Sequence, residues 1–261
     1  MHRLASILVE PLLRALEPRV IVETGAGRGR LTRILLERAP DAVVHAIDPD
    51  PRLNATALGR AHPGRLFVHP TTSAVAIPAI ADVDLAVLDG DPNHATVLGD
   101  LRALTAGAGP PPVVLVRHTG WPFARRDGYY APDRLPPDAL NDPRPAGVRP
   151  GHGDVADDGV RPVPFAAARD SGAENGVRRA LDAFVGDHAD WSQADVPGLH
   201  GVGVLCPPDR LVARPALGPF LAGLSDPPFL LELVRVVERA RVAGLPAEDA
   251  VAPPVTPADL A

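Results

Sequence analysis

V-I-V-E-T-G-A-G-R-G, residues Val20–Gly29, decides the fold. An apolar run ends in Glu23, and glycines stand at positions 25, 27 and 29. L-T-R-I-L-L-E-R (Leu31–Arg38) then has the spacing of an amphipathic helix, and V-V-H-A-I-D closes a second apolar run on Asp48, 19 residues beyond Gly29. Strand, glycine turn, helix and a second strand ending in a carboxylate form the nucleoside-binding half of a doubly wound α/β fold. The dinucleotide fingerprint G-x-G-x-x-G needs glycine at position 30, where Arg30 stands, so the spacing speaks against a dinucleotide.

Glycines let the backbone turn sharply and come close to a ligand, and the start of the following helix offers unpaired N–H groups and a positive dipole end. An amino acid carboxylate suits that position. Asp48, at the tip of the second strand, is placed to accept hydrogen bonds from both hydroxyls of a ribose.

With 261 residues, 46% of them hydrophobic, the chain can bury one substantial core. A net charge of −6 argues against a general nucleic-acid binder. All 26 basic residues are arginines, which removes Schiff-base chemistry and a P-loop lysine. The one cysteine, Cys206, excludes an intrachain disulfide and a cysteine-cluster zinc site, and fits a reducing compartment. Glu10, Pro11 and Arg14 interrupt the N-terminal apolar run, and no segment has the length and apolarity of a membrane span, so the expectation is a soluble cytoplasmic protein.

Apolar spacing predicts a helix over Leu4–Leu16, strands over Arg19–Glu23, Val43–Ile47, Leu66–His69, Val83–Leu88 and Val113–Val116, and helices over Arg28–Arg38, Pro51–Ala61 and Asn93–Leu104 between them. Such alternation signals a parallel sheet. From Thr119 to about Gly172 the chain is rich in Pro, Gly, Asp and Arg without periodicity, as in a lid, a binding loop or disorder. A helix follows over Asn175–Val185, then paired strands over Trp191–Val196 and Gly201–Cys206. C-terminal helices are expected over Leu221–Leu224 and Phe229–Val242. The second bears an apolar stripe (Phe229, Leu230, Leu233, Val236, Val237, Ala240) that serves the core or, alternatively, a homodimer interface. The reading divides the chain into 1–210, with 119–172 inserted, helices over 211–245 and a flexible tail over 246–261.

On Glu23, the G-x-G-x-G turn and the downstream I-D, the chain resembles class I S-adenosylmethionine (SAM) dependent methyltransferases. The resemblance implies a Rossmann-like, doubly wound, seven-stranded, mostly parallel sheet with a long insertion after the fifth strand and C-terminal helices. It also implies SAM as cofactor, with Glu23, Gly25, Ala26 and Gly27 around the methionine part, Asp48 on the ribose, and Ser73 and Asp89 beside the adenine or amino group. L-D-G-D-P-N-H-A-T-V-L-G-D-L (Leu88–Leu101) resembles a segment of sugar and antibiotic O-methyltransferases. In metal-dependent members, carboxylates after the fourth and fifth strands hold Mg²⁺; here Asp89 and Asp91 would be its ligands, but His118 stands where the fifth strand's carboxylate is expected, so Mg²⁺ is left open and not favoured. His118 is then the first candidate general base, with His94 second and Asp91 beside them.

W-P-F-A-R-R-D-G-Y-Y (Trp121–Tyr130) gathers both tyrosines and one of two tryptophans in an aromatic-poor chain. It resembles a segment after the fifth strand of other class I methyltransferases, with N-G-V matched by Asn175-Gly176-Val177. Trp121, Arg125, Arg126, Asp127, Tyr129 and Tyr130 are accordingly expected to form an acceptor pocket or its lid, the alternative being a self-packed loop. The expected activity is methyl transfer to a small polar metabolite, most readily to oxygen, in a bacterial specialised pathway. Two rivals are a SAM-binding protein of the same fold that cyclises or regulates, and an NAD-dependent oxidoreductase.

Overall fold

The computed structural model describes residues 1–107 and 109–242. Strands β1 (Val20–Thr24), β2 (Val43–Ile47), β3 (Leu66–His69), β4 (Leu85–Leu88) and β5 (Val113–Arg117) pair in parallel. In the small sheet of the insertion, β6 (Gly128–Tyr129) and β7 (Pro143–Arg144) flank β8 (Phe165–Ala167). The main sheet is completed by β9 (Ser192–Val196) and β10 (Val202–Cys206), giving the seven-stranded order β3-β2-β1-β4-β5-β10-β9 with β10 antiparallel to both neighbours. This is the expected doubly wound sheet. The chain leaves β1 toward β2 and later returns beside it as β4, so the order reverses between those strands and a crevice opens at their carboxyl ends.

Alternation along the strands sorts side chains onto two faces. Ile21, Val44, Leu85, Val87, Leu115 and Val204 face one core with α1 (Glu10–Leu16), α2 (Arg30–Arg38), α8 (Leu217–Gly223) and α9 (Pro227–Val242). Val22, Ala86, Leu88, Val114 and Leu205 face the other, with α5 (His94–Thr105) and α6 (Val177–Asp187). The remaining helices are short: α3 (Ala55–Ala61), α4 (Ser73–Ala76) and α7 (Pro208–Ala213).

Three expectations change. The helix over Leu4–Leu16 is a 3₁₀ turn, a π turn over Ala5–Val9 and then α1, because Pro11 has no N–H to give to Ile7 and the ladder opens to a Glu10 N–H to Ala5 carbonyl bond. The helix over Pro51–Ala61 starts only at Ala55, capped by Asn54, whose side chain accepts from the Ala57 N–H at 2.9 Å. The insertion is ordered around its small sheet rather than structureless. In the C-terminal stripe Leu233 and Val236 enter the first core, whereas Leu230 is 39% exposed. Helix α7 crosses the expected 210/211 boundary and α8 and α9 share the main core; the tail over 246–261 lies outside the described residues. No helix among the described residues is long and apolar enough to cross a membrane.

Candidate functional site

The glycine turn is locked from both sides. Gly25 has φ +74°, and a Cβ there would meet the Asp89 carbonyl oxygen at 2.2 Å, so glycine is what lets β1 and β4 end side by side. The Gly27 N–H donates to Asp48 Oδ2 at 2.8 Å, and the Asp50 N–H donates to Asp48 Oδ1 at 2.8 Å. Asp48 therefore ties the turn to the end of β2. Each oxygen keeps a further lone pair for a ligand. Ala26 is buried and packs against Leu53, while also lining the cavity beside Asp89.

Asp89, directly after β4, is the electrostatic centre. Its Oδ1 takes the Arg117 guanidinium and His118 Nε2, each at 3.3 Å, while Oδ2 takes the Met1 α-ammonium at 3.1 Å. Burial opposes ionisation of Asp89, but the His118 hydrogen bond, the Met1 ammonium and Arg117 together outweigh it and hold the carboxyl well below the usual carboxylate range. Glu23 shows the reverse. Buried at 2% exposure, with only the Thr32 hydroxyl donating to it at 2.6 Å, it is pushed up to about 8 by desolvation and stays protonated near neutrality.

These groups line a cavity of about 340 Å³ whose wall joins Glu23, the turn Gly25–Gly27, Arg28, Arg30, Leu31 and Asp89 with Met1 and His2. One side is acidic. The other carries two arginines at the start of α2, where the first-turn N–H groups lack intrahelical partners.

The rest of the D-G-D segment serves the insertion. Asp91 Oδ1 accepts from the Tyr130 N–H at 2.8 Å, and desolvation pushes the Asp91 carboxyl up to about 6. His94 opens α5; it is 7% exposed, its N–H goes to Asp127 Oδ1 at 2.7 Å, and burial lowers its pKa. The structure does not bring it to the Asp89 cavity. Ser73 opens α4, where it lowers the pKa that burial raises on Asp100 of α5, and it is not among the walls of the Asp89 cavity.

Within Trp121–Tyr130 the residues separate by exposure. Arg126 is 2% exposed and gives its guanidinium to the carbonyls of Ala167, His152 and Gly153. Asp127, fully buried, accepts from the His94 and Gly176 N–H groups (both 2.7 Å), the Tyr129 hydroxyl (3.0 Å) and Asn141 Nδ2 (2.7 Å). Tyr129 is likewise buried, so these three residues hold the loop together and turn no polar group toward an acceptor. Trp121, Arg125 and Tyr130 remain on the surface. Although most of the ring is exposed, partial desolvation of its hydroxyl end raises the Tyr130 phenol pKa, and the carboxylates of Asp89, Asp91 and Asp48 raise it further.

The donor set does not fit Mg²⁺. Asp89 is already surrounded by cationic or protonated partners, Asp91 Oδ1 is committed to a backbone N–H, and no group of three or more His, Cys, Asp or Glu among the described residues is arranged to hold a metal. Sequence reasoning missed Arg117, whose Nη1–H also donates to the Leu199 carbonyl at 2.7 Å. A lone arginine closing the apolar run V-V-L-V was the available signal. Thr24, Asp100, Arg28 and Arg30 were also missed.

No protein-family model matches the chain, and no curated protein sequence matches it. Among solved structures it is similar to the S-adenosylhomocysteine (SAH) bound methyltransferase PaMTH1 of Podospora anserina, at 17% identity and TM-score 0.47, over 76% of this chain and 75% of that one. An O-methyltransferase family protein of Burkholderia thailandensis matches at 15% identity and TM-score 0.47, over 79% of this chain and 57% of that one. The 1,6-didemethyltoxoflavin-N1-methyltransferase of the same organism matches at 16% identity and TM-score 0.45, over 77% of each chain. The fold assignment rests on the chain's own strand order, 3-2-1-4-5-10-9, with an antiparallel strand beside β5.

Proposed function

We propose that this chain binds SAM and transfers its methyl group to a small, polar, hydroxylated metabolite. The observation that carries the reading is the two-sided cavity at the β1/β4 switch point, acidic at Asp89 and basic at Arg28 and Arg30. That pattern complements the zwitterionic amino acid end of SAM: ammonium toward Asp89, carboxylate toward the arginines and the start of α2. Asp48, at the next strand end, suits the ribose. A dinucleotide would place a pyrophosphate, not an ammonium, against this wall, so an NAD-dependent reaction is disfavoured.

SAM bound here supplies an activated sulfonium methyl, and the chain's task is to hold an acceptor hydroxyl in line with it, where orientation alone contributes much of the rate. Trp121, Arg125 and Tyr130 are the exposed groups of the insertion that suit that task; Arg125 matches an acidic acceptor. His118 is a poorer base than its position suggests, because Nε2 is tied to Asp89. That same tie favours a second reading, in which SAM is bound without methyl transfer. Titration calorimetry with SAM, SAH and NAD tests the cofactor. Incubation with SAM and hydroxylated metabolites, followed by mass spectrometry for SAH and a methylated product, separates the readings: product formation with unchanged SAM supports the second, and NAD binding without SAM binding removes both.

A further inference from the structure

A second, smaller cavity lies between the ends of β1, β4 and β5 and the first turns of α5. Its volume is about 10 Å³, the space explored by the centre of one water molecule, and Thr24, Asp91, Asp100 and His118 are among its walls. Two wall atoms are buried without a partner among the described residues: Thr24 Oγ1 and His118 Nδ1. Thr24 is 3% exposed and Asp100 4% exposed. A buried polar atom left unpaired is costly, so a polar cavity of this size beside two such atoms is a built site.

The protonation of His118 is biased by its other edge. Asp89 is a carboxylate and can only accept, so it favours a proton on Nε2, but at 3.3 Å the pair is an ion-pair contact longer than a well-formed N–H···O bond and does not fix the ring by itself. With the proton on Nε2, Nδ1 of the neutral ring is a lone pair that needs a donor, and the Thr24 hydroxyl does not reach it. We infer that the small cavity binds one water that accepts from the Thr24 hydroxyl and donates to His118 Nδ1 and to an Asp100 oxygen, so that Thr24 and Asp100 are positioning residues fixing His118 as the Nε2–H tautomer against Asp89. His118 thereby orients the carboxylate that meets the cofactor and has no Nε2 lone pair with which to take a proton from an acceptor.

The tautomer stands whatever the cofactor; its effect on cofactor affinity rests on the SAM reading. The test is a long-range ¹H–¹⁵N correlation spectrum of the His118 ring in the ¹⁵N-labelled full chain, at a pH where the ring is neutral. The Nε2–H form is expected in the wild type and in Thr24→Ser, which keeps the hydroxyl. Thr24→Val and Asp100→Leu, which leaves no acceptor, are expected to mix the two tautomers and to weaken SAH binding roughly three- to ten-fold. An Nδ1–H ring in the wild type overturns the inference, as do a Thr24→Val and an Asp100→Leu that both keep the wild-type tautomer. Failure of the wild type to bind SAH removes the SAM reading and leaves the tautomer measurement intact.

Discussion

Oδ1 of Asp89 lies 3.3 Å from Nε2 of His118 and equally far from the Arg117 guanidinium. One oxygen thus organises the end of β5, while its twin faces the cavity and holds an ammonium at 3.1 Å. The site's charge pattern turns on this carboxylate, and the first expectation concerns it.

Replacing Asp89 by Asn keeps the shape and removes the charge. A hydrogen bond to a charged group contributes about 1.5–3 kcal/mol, so Asp89→Asn should weaken SAM and SAH binding roughly ten- to hundred-fold. Calorimetry reads this directly. An unchanged affinity would place the cofactor's ammonium elsewhere.

Glu23 gives a pH signature. Its carboxyl is raised from an ordinary 4.5 to about 8. Between those values the unfolded chain releases a proton that the folded chain keeps, so stability falls as pH rises through this window and levels off above it. Glu23→Gln cannot ionise. Its unfolding free energy should therefore decline less between pH 5 and pH 8 than that of the wild type, by roughly a few kcal/mol. Urea denaturation at several pH values measures the difference, and parallel curves for the two proteins contradict a protonated Glu23. Asp91 and Asp100, raised to about 6 and about 7, add slopes of the same sign in both proteins.

Asp127 joins α5, the start of α6 and the insertion. Asp127→Ala strands donors from His94, Tyr129, Asn141 and Gly176. The expected loss is about 3–5 kcal/mol, read as a lower urea midpoint, with faster proteolytic cleavage within 132–172. A loss below about 1 kcal/mol would mean the insertion holds without its buried carboxylate.

Tyr130 and Trp121 separate acceptor binding from cofactor binding. Both are exposed, and Tyr130 is anchored through its backbone N–H on Asp91. Tyr130→Ala and Trp121→Ala should each raise the acceptor KM, roughly ten-fold for a lost aromatic contact, while the SAH affinity stays within about two-fold. If SAH affinity falls with acceptor KM unchanged, these rings belong to the cofactor site.

The sheet was legible because five apolar runs alternate with helical spacing and end in marked residues: Glu23, Asp48, Asp89. The alternation does not set the strand order, which comes from the structure. The insertion was not legible. Its structure depends on single polar side chains such as Asp127 and Arg126 that satisfy backbone groups distant in sequence, and such pairings leave no periodic trace. In the site, Asp89 and the glycine turn were visible as strand ends. The pairing of Arg117 and His118 with Asp89 was not, since it depends on β5 lying beside β4 in a particular register, Leu88 opposite Val116. Arg126 shows the remaining difficulty: an arginine in an aromatic-rich loop reads as an anion binder until its guanidinium is found to serve three carbonyls.

Because Asp127 and Arg126 carry the cohesion of the insertion from within, its outward side chains are released from structural duty. Trp121, Arg125 and Tyr130 can be exchanged without unravelling the chain beneath them, so descendants of this protein have three adjustable positions on a fixed frame. Divergence in acceptor choice should concentrate there, while the aspartate, the arginine and Asn175-Gly176 stay constant.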